Sequence, residues 1–291
     1  MISYLVGTLI KISRIMRVGS GITYDLLVVW SIVHIIILIK IVNPRLILYG
    51  AALLIAIRVA FILNNITDIN EDLNNPLGKQ KNPLVSDPSL MHVAGLLAAC
   101  LSLLGLLLFI LYSSFLAIIL YLGVLLLGAT YSLPPRWKTS LFLDMISHGL
   151  FFGALLPLTL FIAYGLDLTL AYIMILLSIF VFSSVFELSN HIRDFHYDLK
   201  AGICTTAIFL GYKRSLYLNK VLLSLAIIIG HTALILTNIR ISIYVMVQAL
   251  IILLTLSYQK HEKILGKLPS TIMLLLLAEF SILSALSSGC F

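Results

Sequence analysis

Three oxygen-bearing side chains occur twice at a spacing of four: Asn64, Asp68 and Asp72, then Asn190, Asp194 and Asp198. Each member of the second set lies 126 residues after its counterpart. With 10 Asn and 8 Asp in 291 residues, chance supplies roughly 0.008 such patterns, so the repetition calls for a cause. On a helix this spacing stacks three side chains on one face, about 6 Å apart, and two such faces could hold divalent cations between them. Cations flank the acids. The first stretch runs on through Glu71 and Pro76 to Lys79 and Lys81, the second contains Arg193 and Lys200, and between them lies Tyr131-Ser132-Leu133-Pro134-Pro135-Arg136-Trp137-Lys138. Carboxylates mixed with Lys and Arg are what a magnesium diphosphate needs. Hard oxygen ligands hold Mg²⁺, the metal bridges phosphate oxygens, and the basic side chains neutralise the remaining charge. Four Asp without a Cys or His ligand set favour Mg²⁺ over zinc.

The elements that must position these residues are membrane helices. Mean hydropathy is +1.11. Hydrophobic residues make up 61% of the chain and charged ones 11%, against roughly 25% charged in soluble domains. The chain is expected to be an all-α, polytopic membrane bundle, and its length suits a single domain over 1–291. Nine apolar segments, near 19–42, 46–63, 90–112, 114–131, 141–163, 168–189, 215–236, 241–258 and 269–288, are about long enough to cross a bilayer core. Residues 1–18 carry Lys11, Arg14 and Arg17 among apolar residues and lack a small-residue cleavage site, so they read as an interfacial helix.

Both carboxylate patterns extend just past such segments, the second and the sixth. The equal offset suggests a duplicated helical unit. Fourteen of the 19 Lys and Arg fall on the N-terminal segment and the longer connections near 64–89, 131–140, 190–214 and 258–268; only Lys40, Arg45 and Arg240 lie on the other side. The positive-inside rule therefore places both acidic loops in the cytoplasm, and an odd helix count leaves Phe291 outside. The formal charge of +7 is spread over short loops. It fits anionic head groups or an anionic substrate and is not a nucleic-acid signal. Cys100, Cys204 and Cys290, odd in number and far apart, suggest neither a disulfide framework nor a zinc site.

Taken in order, the three polar stretches resemble the UbiA superfamily of intramembrane prenyltransferases. Its members show an Asn-x-x-x-Asp-x-x-x-Asp after the second helix, a Tyr-Ser-x-Pro-Pro-x-x-Lys-like loop after the fourth and an Asp-x-x-x-Asp after the sixth. The resemblance covers nearly the whole chain and implies nine helices around a central cavity capped by cytoplasmic loops. It also implies transfer of a prenyl group from a prenyl diphosphate to a lipophilic acceptor. By that resemblance Asn64, Asp68, Asp72, Asp194 and Asp198 would bind two Mg²⁺ and the diphosphate, with the four Asp catalytic. Lys81, Arg136, Lys138 and Arg193 would be its basic partners, Asn190 would stand beside them, and Tyr131 would face the allylic cation.

The chain departs from the family pattern in three places. The second motif has Asn190 or His191 where many members carry a third acid. Its Asn-x-x-Arg-Asp-x-x-x-Asp-x-x-x-Gly form, ending at Gly202, resembles the branch that prenylates naphthoquinone precursors, whereas the first motif does not follow that branch. Helix one offers Arg14, Arg17 and Gly19 in place of the usual Arg-Pro opening. An aromatic quinone precursor is the leading acceptor, with a prenylated glycerol phosphate or a carotenoid as the alternative.

Plainer readings stand beside these. The acids could simply end helices at the interface, Asn64 and Asn190 could be caps, and Lys81, Arg136 and Lys138 could be topology signals. Arg58, six residues before Asn64, is a candidate for the diphosphate or for snorkelling to the interface. Asp144 and His148, four apart, could touch the acceptor or each other. Glu187, one turn before Asn190, could extend the second cluster, and Glu279 has no assigned place. His34, His92 and His231 read as packing residues. A transporter is the rival of another class, but transporters favour broken helices at the bilayer centre, and here the acids gather at helix ends.

Overall fold

The computed structural model describes residues 10–18, 21–258 and 265–287. The first half of the expected interfacial segment, together with Gly19, Lys260, Lys263, Cys290 and Phe291, lies outside the described residues. Within them, nine helices are long and apolar enough to cross a membrane. They are α1 (Ile22–Ile39), α2 (Pro44–Thr67), α3 (Pro88–Tyr112), α4 (Phe115–Ser132), α5 (Leu143–Ala163), α6 (Leu170–Ala201), α7 (Tyr212–Thr237), α8 (Ile239–Leu256) and α9 (Leu268–Ser287). A helix over 10–15 precedes them.

Polar punctuation sets the helix ends. Asn43 accepts from the Arg45 amide at 2.9 Å with Pro44 in the first turn of α2. Ser114 and Thr169 open α4 and α6 in the same way, accepting from Ala117 N and Tyr172 N. In each case the side chain satisfies an amide that the first helical turn leaves free. Gly202, left-handed at φ 69°, stops α6. Because that stop comes so late, α6 is a single 32-residue helix that carries the whole second motif. The first motif behaves differently. At Asp68 (φ −100°, ψ 8°) α2 ends, and Ile69–Asp72 form a separate short helix. The three side chains from Asn64 to Asp72 therefore do not share one continuous helix face, contrary to the stacking expected from spacing.

Uniform apolarity hides which helices are central. Within their most apolar windows 67% of α5 and 61% of α6 are buried, against 11% of α8, so α5 and α6 form the middle of the bundle and α8 its edge. Glycine allows the central contact. A Cβ on Gly153 would meet Phe180 Cα and stand 2.6 Å from its nitrogen, so at this point α5 lies directly on the backbone of α6. Around that point α5 widens to a π-helical stretch over Gly149–Leu155, just before Pro157, which has no amide hydrogen to give. The close approach sets Asp144 and His148 on α5 against Glu187 and His191 on α6.

Candidate active site

Three stretches meet at one end of the bundle, where α2, α4 and α6 finish. The loop after α4 folds over the end of α2. Arg136 sits at its turn with φ 60°, and the buried Lys138 follows in a short 3₁₀ segment. Lys138 Nζ donates to Asp68 Oδ1 and lies 3.4 Å from Glu71 Oε2, while Arg136 donates to Glu71 Oε1 and, at 3.3 Å, to Asp68 Oδ1. Asn64 Nδ2 gives Asp68 Oδ2 a bond of 2.6 Å, and Thr67 Oγ1 bonds Oδ1 at 3.0 Å. Asp68 thus has donors around both oxygens.

Asp72 is held differently. Asn82 Nδ2 donates to its Oδ2 at 2.8 Å and also reaches the Asn65 carbonyl, tying the loop back onto α2. Among the described residues no cation forms an ion pair with Asp72. Burial pushes its carboxyl above the ordinary range; the Asn82 bond works against this, and the neighbouring charge of Asp68 adds to it. The second motif approaches through Asn75, whose Nδ2 donates to Asp194 Oδ1 at 3.3 Å, so the first loop spans to α6. Asp198, one turn further, is half-buried with Asp194 and Glu71 among the charges acting on it. Arg193 is exposed and donates to Asn190 Oδ1, and Asn190 in turn donates to Glu187 Oε2 at 3.2 Å.

The structure therefore brings together Asn64, Asp68, Asp72, Arg136, Lys138 and Asp194, with Asn190, Arg193 and Asp198 on the same flank. Two expected participants are elsewhere. Lys81 is exposed and makes no hydrogen bond or ion pair among the described residues. Arg58 does not reach the acids of the two motifs: it is paired with Asp25 of α1, donates toward the Met16 and Arg17 carbonyls and stands 5.8 Å from the Phe61 ring. Asp25, one turn into α1, faces it across the bundle and claims it.

Several residues that spacing did not single out belong to the site. Glu71 shares both cations with Asp68. Arg17 donates to Asn65 Oδ1 at 2.8 Å; burial lowers its pKa, and Asp72 and Asp68, the next largest influences, raise it. Glu71 was legible in principle, three residues after Asp68 and beside Asp72. Arg17 was not, since only the packing of the N-terminal segment on α2 brings it there.

Beneath the acidic end lies a buried polar cluster. Tyr131 on α4 donates to Glu187 Oε1. His191 Nε2 is 3.0 Å from that oxygen, and His148 Nε2 is 3.5 Å from Glu187 Oε2. Asp144 Oδ2 stands 3.2 Å from His191 Nδ1 and accepts from Thr206 N at 2.8 Å, while Oδ1 accepts from Thr206 Oγ1 at 2.6 Å. Asp144 and His148 thus have separate partners and are not bonded to each other. Tyr131 and His148, with Ala60, Gly128, Phe151 and Phe152, line a cavity of about 20 Å³, room for one water.

The residues fit Mg²⁺ by donor chemistry, since every acid in the cluster offers hard oxygen. Among the described residues no group of three or more His, Cys, Asp or Glu is already arranged as a metal site. Arg136 and Lys138 occupy the carboxylates instead.

The family model for UbiA prenyltransferases matches residues 27–276. Among solved structures, a UbiA homologue from Archaeoglobus fulgidus bound to GPP and Mg²⁺ is similar at TM-score 0.70 and 20% identity, covering 94% of this chain and 99% of that one. A digeranylgeranylglyceryl phosphate synthase is similar at TM-score 0.69 and 18% identity, over 97% and 99% of the two chains. The apo form of a homologue from Aeropyrum pernix K1 gives TM-score 0.61 at 17% identity, over 92% and 95%. No curated protein sequence matches.

Proposed function

The chain belongs to the UbiA prenyltransferase family, and from that premise we propose that it transfers a prenyl group from a prenyl diphosphate, with Mg²⁺, to a lipophilic acceptor of the aromatic quinone-precursor class. The observation that carries this reading is the meeting of Asp68 and Glu71 with Arg136 and Lys138, beside Asp194, at one end of a membrane bundle. Two cations and several carboxylates stand ready to exchange partners. When a diphosphate arrives, Arg136 and Lys138 turn from carboxylate to phosphate oxygens, and the freed Asp68, with Asp72, Asp194, Asp198 and Asn64, would hold Mg²⁺, which would supply charge withdrawal from the leaving diphosphate. Arg193 supplies a further positive charge at the rim. The ring of Tyr131, lining the cavity below, offers a π face to developing positive charge. Phe151 and Phe152 exclude water from it.

The prenyl chain needs more room than one water, so Phe152 and its stacked neighbour Tyr24, ring centroids 3.9 Å apart, must part to admit it. An aromatic acceptor is supported by this lining of flat rings and by the resemblance of the Asn190–Gly202 segment to the naphthoquinone branch. The acidic end faces the cytoplasm in this reading, supported by the excess of Lys and Arg in its loops. The test is direct. Purified chain with Mg²⁺, radiolabelled geranylgeranyl diphosphate and a panel of acceptors should move label onto a lipophilic product, with a dihydroxynaphthoic acid preferred over geranylgeranylglyceryl phosphate. EDTA should abolish both donor binding and transfer. Binding without transfer to any acceptor, or donor binding indifferent to EDTA, refutes the reading.

A further inference from the structure

Glu187 is the most heavily committed side chain beneath the acidic end. It is 5% exposed, and groups from three helices converge on its two oxygens: Tyr131 from α4, His148 from α5, and Asn190 and His191 from its own helix. A polar tie between helices needs one such partner. Four partners on one carboxylate, inside a membrane bundle, mark a group held in place for use, because burying an ionisable group there is costly.

Its position is informative. Glu187 precedes Asp194 by seven residues on the continuous helix α6, which puts it roughly 10 Å deeper along the axis. The cavity wall supplies the route, since Tyr131 and His148 both line the cavity and both reach Glu187. The imidazoles are themselves oriented. His148 Nδ1 lies 2.9 Å from the Ser183 carbonyl, and Tyr24 Oη lies 3.2 Å from its Nε2. His191 faces Asp144, which is fully buried and accepts three bonds, from the amides of Met145 and Thr206 and from the Thr206 hydroxyl. The array thus fixes one carboxylate at the floor of the site between two imidazoles.

Resting on the prenyl-transfer reading above, we propose that Glu187 is the acceptor-side base, which binds the hydroxyl of a phenol-class acceptor and takes its proton, with His148, His191 and Asp144 as positioning residues. The proton balance is simple. The acceptor's O–H bond breaks, its electron pair stays with the acceptor, and the enriched ring forms the new bond to the prenyl carbon; the C–H bond at that ring carbon then breaks, its pair restoring the aromatic ring as a proton returns to the oxygen. The carbon–oxygen bond to diphosphate breaks with its pair leaving on the diphosphate, and Glu187 holds the released proton until it returns to solvent at the polar end. Such a base also sets specificity, because an acceptor whose hydroxyl is capped as a methyl ether offers no proton and leaves the carboxylate unpaired.

The test uses the full chain in detergent with Mg²⁺, labelled geranylgeranyl diphosphate and a dihydroxynaphthoic acid. Glu187→Gln keeps size and one of the two accepting oxygens. It should bind the donor as the wild type does and transfer it at least about 100-fold more slowly, the usual contribution of a general base. Added formate should restore part of the rate in Glu187→Ala, a recovery that a purely structural carboxylate would not show. Transfer by Glu187→Gln within about threefold of wild type overturns the proposal, as does loss of donor binding, which would put Glu187 in the diphosphate site. Should Glu187→Gln fail to fold, His191→Gln and the O-methylated acceptor decide. The variant should lose transfer with donor binding kept, and the ether should be inert with wild-type chain; full rates in either case overturn the proposal. A wild-type chain that binds donor but transfers to no acceptor in the panel overturns the prenyl-transfer reading itself, a result distinct from any selective defect of the variant.

Discussion

Gly153→Ala touches no group that handles substrate, yet it should be among the most damaging single changes in the chain. The new Cβ would stand 2.6 Å from Phe180 N and 2.7 Å from the Ile179 carbonyl, and these are backbone atoms with no rotamer to swing away. Reaching the 3.4 Å of ordinary van der Waals contact from the nearest backbone atom, Phe180 Cα, requires α5 and α6 to part by about 1 Å. Carried along α5, that opening takes the 3.2 Å approach of Asp144 to His191 and the 3.5 Å approach of His148 to Glu187 to about 4 Å or more, past hydrogen-bond range. Overpacking of this kind costs about 1–3 kcal/mol, and displacing a reacting assembly by about 1 Å costs about 100-fold in rate. Donor binding should survive, because none of the residues assigned to the metal and diphosphate lies on α5. The assay measures thermal midpoint, Mg²⁺-dependent donor binding and transfer on the same preparation. Gly123→Ala is the control: nothing lies within 4 Å of its Cβ, and alanine favours a helix over glycine by about 1 kcal/mol, so stability should hold or rise. Wild-type transfer in Gly153→Ala would refute the claim that close α5–α6 contact assembles the floor of the site.

Alanine at Asp68, Asp72, Asp194 or Asp198 should each abolish Mg²⁺-dependent transfer while leaving a folded chain on gel filtration; near-normal activity in any two sinks the shared metal–diphosphate site. Asp72→Asn gives a signed pH test in EDTA. Burial raises the Asp72 carboxyl, so the folded chain holds its proton to higher pH than the unfolded chain does, and ionising it costs stability. Wild type should therefore gain stability as pH falls through the raised value, and the Asn variant should be the more stable only above that window; an advantage unchanged at acid pH contradicts the assignment. Reporter fusions at Lys79, Arg136 and Lys200 should all read cytoplasm, and one in the connection near Arg45 should read the opposite side; mixed readings among the first three break the topology.

Much was legible in the residues themselves. Apolar runs interrupted by polar loops located the nine membrane-length helices of the described residues to within a few residues, except that α6 runs on to Ala201, well past the expected end near 189. The paired Asn and Asp spacing, with Arg136 and Lys138 in the intervening loop, marked the acidic end, because charge near hydrocarbon is tolerated only where it works. Periodicity misled at Asp68: Asn64, Asp68 and Asp72 read as one helix face, but the Asn82 bond to Asp72 and the Lys138 bond to Asp68 draw the chain out of helix there. Arg58 looked available for an anion until packing set Asp25 opposite it.

What the linear order could not carry was the partnership among α4, α5 and α6. The sequence shows Asp144 and His148 as a pair four apart, Glu187 one turn before Asn190 and Tyr131 at the head of a polar loop, but nothing in it connects these three places. Hydropathy is equally silent on which helices touch, since lipid and protein interior are alike apolar and leave no amphipathic stripe to read. The deciding contact is steric. Gly153 lets α5 rest on the backbone of α6, and only that approach, a property of two chain segments at once, turns four scattered side chains into one site.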